Sequence, residues 1–344
     1  MSRFPWRISA LIVLVVCAIL GWMFVSAAWF GGLTSPEPIN FSVKEGESGA
    51  QVAADLASSH IIGLAFGYRL YGWLDHSVSR PKPGDYELRP GSSYRDISHE
   101  LALGPARREV QVRVIEGRNV DELADQLQSE QSIPVTTTQA LIGRAANRKP
   151  FDPVLRQDYA FLKVLPGNRS LEGYLFPDTY RVWGDQLPEG LVRKQLDEFA
   201  ARYGQSAITK KSAPLQTLDD AVILASIVEA EVRDDADRKI VAGIFLNRLR
   251  DGMALQTDAT LSYVTGSDRA RANANDLNLD SPFNTYKNRG LPPAPINSPG
   301  ASAMDAVLDP APTDYRYFLT DAAGKVYYAR TLEEHTANRA KAGF

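Results

Sequence analysis

Two hydrophobic patterns divide the chain. Residues 8–30 carry no charge and are dominated by Ile, Leu, Val, Ala, Phe and Trp. A helix needs about 20 such residues to cross a bilayer core, so the run predicts a transmembrane helix over 8–30. Arg3 and Arg7 precede it, and Glu37 is the first charge after it. Positive charge on that side predicts a cytoplasmic tail over 1–7 and places the rest of the chain on the periplasmic or extracytoplasmic side of the inner (cytoplasmic) membrane. Val25-Ser26-Ala27 offers the competing reading of a cleaved signal peptide, but the apolar run outlasts a usual signal core and favours a single-pass anchor. Cys17 lies within the run and reads as a packed span residue. Segment 31–40, with two Gly, two Pro and a Thr-Ser pair, reads as a short tether.

Beyond residue 40, one arrangement recurs three times. Strand-like stretches at 41–43, 86–88 and 110–115 lead to Gly46, Gly91 and Gly117. Two residues on stand Ser48, Ser93 and Asn119, and three further on Gln51, Asp96 and Glu122, close to the spacing of a capping box. Apolar pairs follow at Val52 and Leu56, Ile97 and Leu101, Leu123 and Leu127, an i, i+4 stripe for one buried helix face. Each repeat reads as strand, glycine turn and capped amphipathic helix. The first two predict a small LysM-like glycan-binding module; recurrent packing chemistry alone is the plainer alternative.

A polar stretch at 128–138 leads to a predicted helix over 139–148, broken by Lys149-Pro-Phe-Asp-Pro153. Segment 170–180 combines Leu171, Tyr174, Phe176 and Tyr180 with Gly173 and Pro177, too apolar for a free loop and unable to form a regular helix. It predicts a rigid aromatic loop walling a cleft, or else a buried structural turn. Thr217-Leu-Asp-Asp220 opens a largely buried helix over 221–232, interrupted by Glu229 and Glu231. Residues two apart point about 200° from each other on a helix, so the two glutamates cannot face one cleft. Apolar surroundings raise a carboxyl's pKa, as a general acid at neutral pH requires. The residues alone leave open which glutamate does this, and pairing of both with Arg233, Arg238 or Arg248 is the bland alternative.

A second helix is expected behind Asp234-Asp235, with Ile240, Val241, Ile244, Phe245 and Leu249 at helical spacing and a stop at Gly252. Segment 281–300 holds too many Pro and Gly for regular structure, and its Asn, Thr and Tyr can hydrogen-bond sugar hydroxyls. A hairpin about Asp321-Ala-Ala-Gly324 and a helix starting at Thr331 close the chain.

Composition excludes more than it identifies. The 344 residues, 44% hydrophobic and 23% charged, have room for about two domains. A net charge of −3 gives no case for nucleic-acid binding. One cysteine rules out a disulfide within the chain. His60, His76, His99 and His335 are scattered without zinc-ligand spacing.

The motifs Leu171-Glu-Gly-Tyr-Leu-Phe-Pro-Asp-Thr-Tyr180, Ala225-Ser-Ile-Val-Glu229, Asn247-Arg-Leu, Leu255-Gln-Thr-Asp258, Ser281-Pro-Phe-Asn-Thr-Tyr286, Gly290-Leu-Pro-Pro-Ala-Pro-Ile296 and Thr331-Leu-Glu-Glu-His335 resemble those of the YceG-like endolytic murein transglycosylases, in order over residues 41–340. Ala230 stands where relatives usually carry Lys, and Ala294 where they carry Gly. The resemblance implies an α+β protein: a transmembrane helix, a LysM-like subdomain over 41–109 and a mixed α+β catalytic domain with a cleft over 110–344. It carries the catalytic role to Glu229. It makes Glu172, Tyr174, Gln256, Asp258, Asn284 and Tyr286 candidates for substrate contact. The implied substrate is the peptidoglycan glycan strand, cut at MurNAc–GlcNAc β-1,4 bonds to leave 1,6-anhydroMurNAc ends and so limit strand elongation. No metal or organic cofactor is expected, and peptidoglycan synthases are the implied partners. The competing readings are a membrane-anchored glycan-binding scaffold without catalysis and a muramidase that uses water.

Overall fold

A computed structural model of the chain describes residues 6–32, 35–75, 81–105, 108–205, 211–266 and 273–343, the side chains of 6–9 and 147 excepted. Most of the predicted tail, residues 33–34 of the tether, and His76 lie outside the described residues. The chain is mixed α+β and forms two compact units, Met1–Arg107 and Arg108–Phe344.

The first unit begins with helix α1 (Trp6–Val25), which ends in a π-helical turn, Ser26–Phe30. Ala10–Phe30 is long and apolar enough to cross a membrane, with a mean hydropathy of 2.7. Cys17 is exposed along α1 rather than packed against protein, because among the described residues no other element covers that stretch of the helix. Strand β1 (Ile39–Val43), helices α2 (Gly49–Ser58) and α3 (Ala65–Leu74), strand β2 (Gly84–Leu88) and helix α4 (Tyr94–Leu103) follow. β1 and β2 are antiparallel, with Phe41 opposite Tyr86. Ser48 and Ser93 accept hydrogen bonds from the backbone N–H of Gln51 and Asp96, so both predicted caps form. Val52, Leu56, Ile97 and Leu101 are buried with Phe41, Tyr68, Tyr71 and Leu88. The repeat pattern did not anticipate α3.

The expected tether is not free. Gly32 N–H donates to Gly91 O at 2.8 Å and Ser35 N–H to Pro90 O at 2.9 Å. Ala28 is fully buried in the unit's core, and Trp29 meets Tyr71 edge to face at 5.6 Å. Backbone hydrogen bonds and apolar burial fix a segment that composition alone read as loose.

The second unit opens with β3 (Glu109–Arg113), which pairs antiparallel with β4 (Thr179–Trp183). Between them lie α5 (Val120–Gln131), α6 (Val135–Ile142), α7 (Pro153–Asp158) and α8 (Ala160–Lys163). Asn119 caps α5 in a full capping box with Glu122. The helix expected over 139–148 starts at Val135 and stops at Ile142; the next residue, Gly143, has φ of 82° and cannot continue it. Then come α9 (Glu189–Tyr203), α10 (Leu218–Glu231), α11 (Asp235–Arg250), α12 (Asp258–Thr265), α13 (Ala274–Leu277) and α14 (Ala301–Leu308). The hairpin β5 (Tyr317–Thr320) and β6 (Val326–Ala329) and helix α15 (Leu332–Lys341) form as expected.

Helix α10 is the centre of this unit. Thr217 and Asp220 make the predicted capping box, and every residue from Ala221 to Val228 is buried. Each large apolar side chain enclosed there contributes about 1.5–3 kcal/mol. Helices α11 and α14 pack on it. Segment 291–300, irregular as expected, is mostly buried against it too: Ile296 N–H donates to Ser226 Oγ, and the Asn297 amide donates to Ser226 O. The aromatic segment is a buried turn, not a cleft wall. A Cβ on Gly173, whose φ is 85°, would lie 2.6 Å from both Pro295 and Val222, an approach only glycine permits. Asp219 secures the turn by accepting from Arg169, at 2.7 and 3.1 Å, and from Tyr174 Oη at 2.6 Å.

Arg169 is 1% exposed, so its charge has no recourse to water. Asp219→Ala should therefore lower unfolding free energy by about 3 kcal/mol, the scale of a broken buried pair, in a denaturant titration. A loss below 1 kcal/mol would show that Pro293 O, which also accepts from Arg169 at 2.7 Å, suffices.

Candidate active site

The second unit contains a cavity of about 1180 Å³. Glu231, Arg248, Gln256, Asp258, Tyr263 and Tyr286 are among its lining residues, and Glu229 is not. The helix geometry that separates the two glutamates is therefore observed, but it sets Glu231 on the cavity. This differs from the expectation for Glu229.

Glu229 is locked elsewhere. Its carboxylate accepts from Arg238 at 2.5 Å and from Gly300 N–H, at the start of α14, at 3.0 Å. Both side chains of the pair are under a tenth exposed. Burial raises the Glu229 carboxyl above its ordinary value, while Gly300 N–H and Arg238 pull it back. A carboxylate with both oxygens engaged in this way is placed to hold α10, α11 and α14 together.

Glu231 is the last residue of α10, where the helix dipole disfavours negative charge. Its carboxyl is raised chiefly by burial and further by Asp258; the Thr257 hydroxyl, which donates a short hydrogen bond to it, and Arg248 oppose the rise. Thr257 is held by Thr285 Oγ1, which accepts from its N–H at 3.1 Å, and by Thr260 Oγ1, which donates to its carbonyl at 3.0 Å. Arg248 donates to Leu255 O and to Arg316 O, each at 2.6 Å, so its guanidinium faces the site in a fixed pose.

The expected substrate residues divide evenly. Gln256 is exposed on the cavity and held at φ of 53°, uncommon for a side chain with a Cβ. Asp258 and Tyr286 line it together, with Tyr286 Oη donating to Asp258 at 2.6 Å. The other three do not reach it. Tyr174 is enclosed by Phe161 and Phe199 and spends its hydroxyl on Asp219. Asn284 is fully buried and donates to Leu277 O and Leu279 O, which shapes the loop rather than a ligand surface. Glu172 is fully buried and accepts from Val120 N–H at 3.2 Å and from Tyr263 Oη at 3.0 Å. It supports the cavity from behind, through Tyr263. Thr257 and Arg248 stood within motifs already singled out, and their roles emerge only from the fold. Tyr263 carried no sequence signal at all.

The YceG-like family profile matches residues 41–341. The chain belongs to the YceG-like family. It is 32% identical over 317 residues to an endolytic murein transglycosylase of Bacillus subtilis (strain 168), covering 89% of this chain and 85% of the relative. A Streptococcus pneumoniae serotype 2 (strain D39) protein of the same name is 30% identical over 329 residues; the match covers 89% of this chain but 59% of that longer protein. A crystal structure of a YceG-like protein from Listeria monocytogenes superposes with a TM-score of 0.55 at 30% identity, covering 88% of this chain and all of that one.

Burial lifts Glu172 from an ordinary 4.5 to about 8, against the pull of Tyr263 and Val120 N–H. The folded chain therefore keeps a proton that the unfolded chain has lost. This contribution is complete below about pH 4.5 and disappears as pH rises through about 8. Thermal unfolding at pH 5 and pH 9 should show Glu172→Gln losing less stability than the parent across that interval. Equal slopes would mean that Glu172 is ionised in the fold.

Proposed function

We propose that this chain is an endolytic murein transglycosylase in which Glu231 is the general acid and base. The observation that carries the residue assignment is the placement of Glu231 on the cavity, with a raised carboxyl and an ordering Thr257 hydroxyl, while Glu229 is engaged by Arg238 and Gly300. The names of the relatives supply the reaction class.

In the first step Glu231 gives its proton to the glycosidic oxygen as the bond from MurNAc C1 to that oxygen breaks. The C6 hydroxyl of the same MurNAc then attacks C1 and returns its proton to the Glu231 carboxylate, closing the 1,6-anhydro ring. Proton and electron pairs balance without water. Ordinary glycosidases need a second carboxylate to activate water or to attack; here the nucleophile belongs to the substrate. Gln256, Asp258 and Tyr286 contact sugar hydroxyls in this reading, and the substrate acetamide stabilises the cationic centre.

The β1-α2-α3-β2 order supports the LysM-like reading of residues 41–109, with the catalytic domain over 110–344. Helix α1 is the single-pass anchor, with the N-terminus cytoplasmic by its flanking arginines and the catalytic domain outside. Peptidoglycan synthases, which make the strands this enzyme cuts, are the partners such a placement favours.

Two measurements test this reading. Glu231→Gln preserves shape but cannot cycle a proton, and turnover should fall by about 10²–10⁴ with the thermal midpoint little changed. Glu229→Gln should instead lower the midpoint, because Arg238, buried, keeps only the exposed Asp235 at 3.4 Å as an ionic partner, and its folded fraction should keep substantial turnover. The reverse pattern restores Glu229 as the catalytic group. Separately, mass spectrometry of digested glycan strands should find 1,6-anhydroMurNAc at ends produced inside strands. Reducing MurNAc ends would make the enzyme a muramidase, and no cleavage would leave a binding scaffold.

A further inference from the structure

Helix α3 in the first unit is apolar on its solvent-facing side as well as on its core side. Gly67, Tyr68 and Tyr71 face the core. The opposite side should be polar, yet Phe66 and Trp73 are 74% and 73% exposed, and Leu74 is exposed beside them. With successive residues about 100° apart, Trp73, Phe66, Leu70 and Leu74 form one apolar arc of about 100°. Arg69 stands exposed at its edge. Isolated exposed apolar residues are ordinary, but a contiguous aromatic and aliphatic stripe marks a surface that meets something apolar.

The end of α1 indicates what that is. The apolar run closes at Phe30, and its 21 residues match the thickness of a bilayer core, so Trp29 and Phe30 stand at the membrane boundary when α1 spans. Trp29 lies against Tyr71, within α3 itself, at 5.6 Å. The bonds from Gly32 and Ser35 to Gly91 and Pro90 leave no slack between the span and this unit. Helix α3 is therefore held at the height where the hydrocarbon ends. Trp and Phe on one side with Arg at the margin is the composition of a helix that lies in the headgroup region. At the same level Asp75 accepts from the Tyr71 hydroxyl at 2.6 Å and the exposed Arg95 acts on that hydroxyl too, so charge of both signs stands there.

We infer that the exposed face of α3 is a membrane-surface contact, inserting Phe66, Leu70, Trp73 and Leu74 into the headgroup boundary of the leaflet into which α1 emerges. The face is a second attachment, continuous with the span. It rests on the reading of α1 as a membrane helix and is independent of the reaction.

The full chain in vesicles of phosphatidylethanolamine and phosphatidylglycerol tests this with spin labels. Native Cys17 is labelled as a marker of the span. Phe66→Cys, Trp73→Cys and, as an exposed control on β2, Glu87→Cys are each labelled in a Cys17→Ser background. Labels at 66 and 73 should collide with oxygen, as at Cys17, and lose collisions with a water-soluble nickel chelate relative to position 87. Chelate collisions at 66 and 73 equal to those at 87, with Cys17 still in lipid, would overturn the contact and leave the anchor standing. Labels at 66 and 73 shielded from both reagents would also overturn it, in favour of a protein partner or second copy. A Cys17 label in water would remove the anchor and the contact together.

Discussion

From Ala221 to Val228, helix α10 has no face left for water, and much of the second unit follows from enclosing it. A helix buried on one side needs one partner; a helix buried on all sides needs a sleeve. Helices α11, α12 and α14 provide part of it, and two irregular segments, 169–176 and 291–300, add to it. Irregular chain is an expensive wall, because its backbone groups need partners away from water. The solutions are visible in Ser226, which serves both Ile296 and Asn297, and in Asp219, which serves Arg169 and Tyr174. Gly173 lets the two segments close on the helix.

The same enclosure explains why two glutamates of one sequence motif have different environments. Glu229 ends among groups that neutralise it, between Arg238 and the start of α14. Glu231 ends where α10 runs out of sleeve and the cavity begins. Burial raises both carboxyls, but of the two only Glu231 lines the cavity. Being buried is common to structural and catalytic acids; an unfilled neighbouring volume distinguishes them.

Local features were the most legible in sequence. The caps at Ser48, Ser93, Asn119 and Thr217 all form where spacing put them, because a cap is decided within four residues. The hairpin and final helix followed for the same reason. Helix α3 escaped because its exposed side is apolar and erases the usual two-sided pattern. The aromatic turn misled because aromatic density signals burial as readily as a sugar platform, and only Phe161, Phe199 and Asp219, distant in sequence, decide between them. The choice between Glu229 and Glu231 was illegible for a related reason. Helical periodicity separates their directions, but the positions of Arg238, Gly300 and Thr257 belong to the tertiary fold.

Gln256 adds a different kind of information. Its φ of 53° costs a residue with a Cβ on the order of 1 kcal/mol or more, and glycine would adopt it freely. Its N–H is already bound to Thr285 O, so the backbone pose would survive that exchange. A chain shaped by robustness alone has every reason to drop this side chain. A long amide held on the cavity wall in a conformation it resists is a cost that the support of its own backbone does not explain.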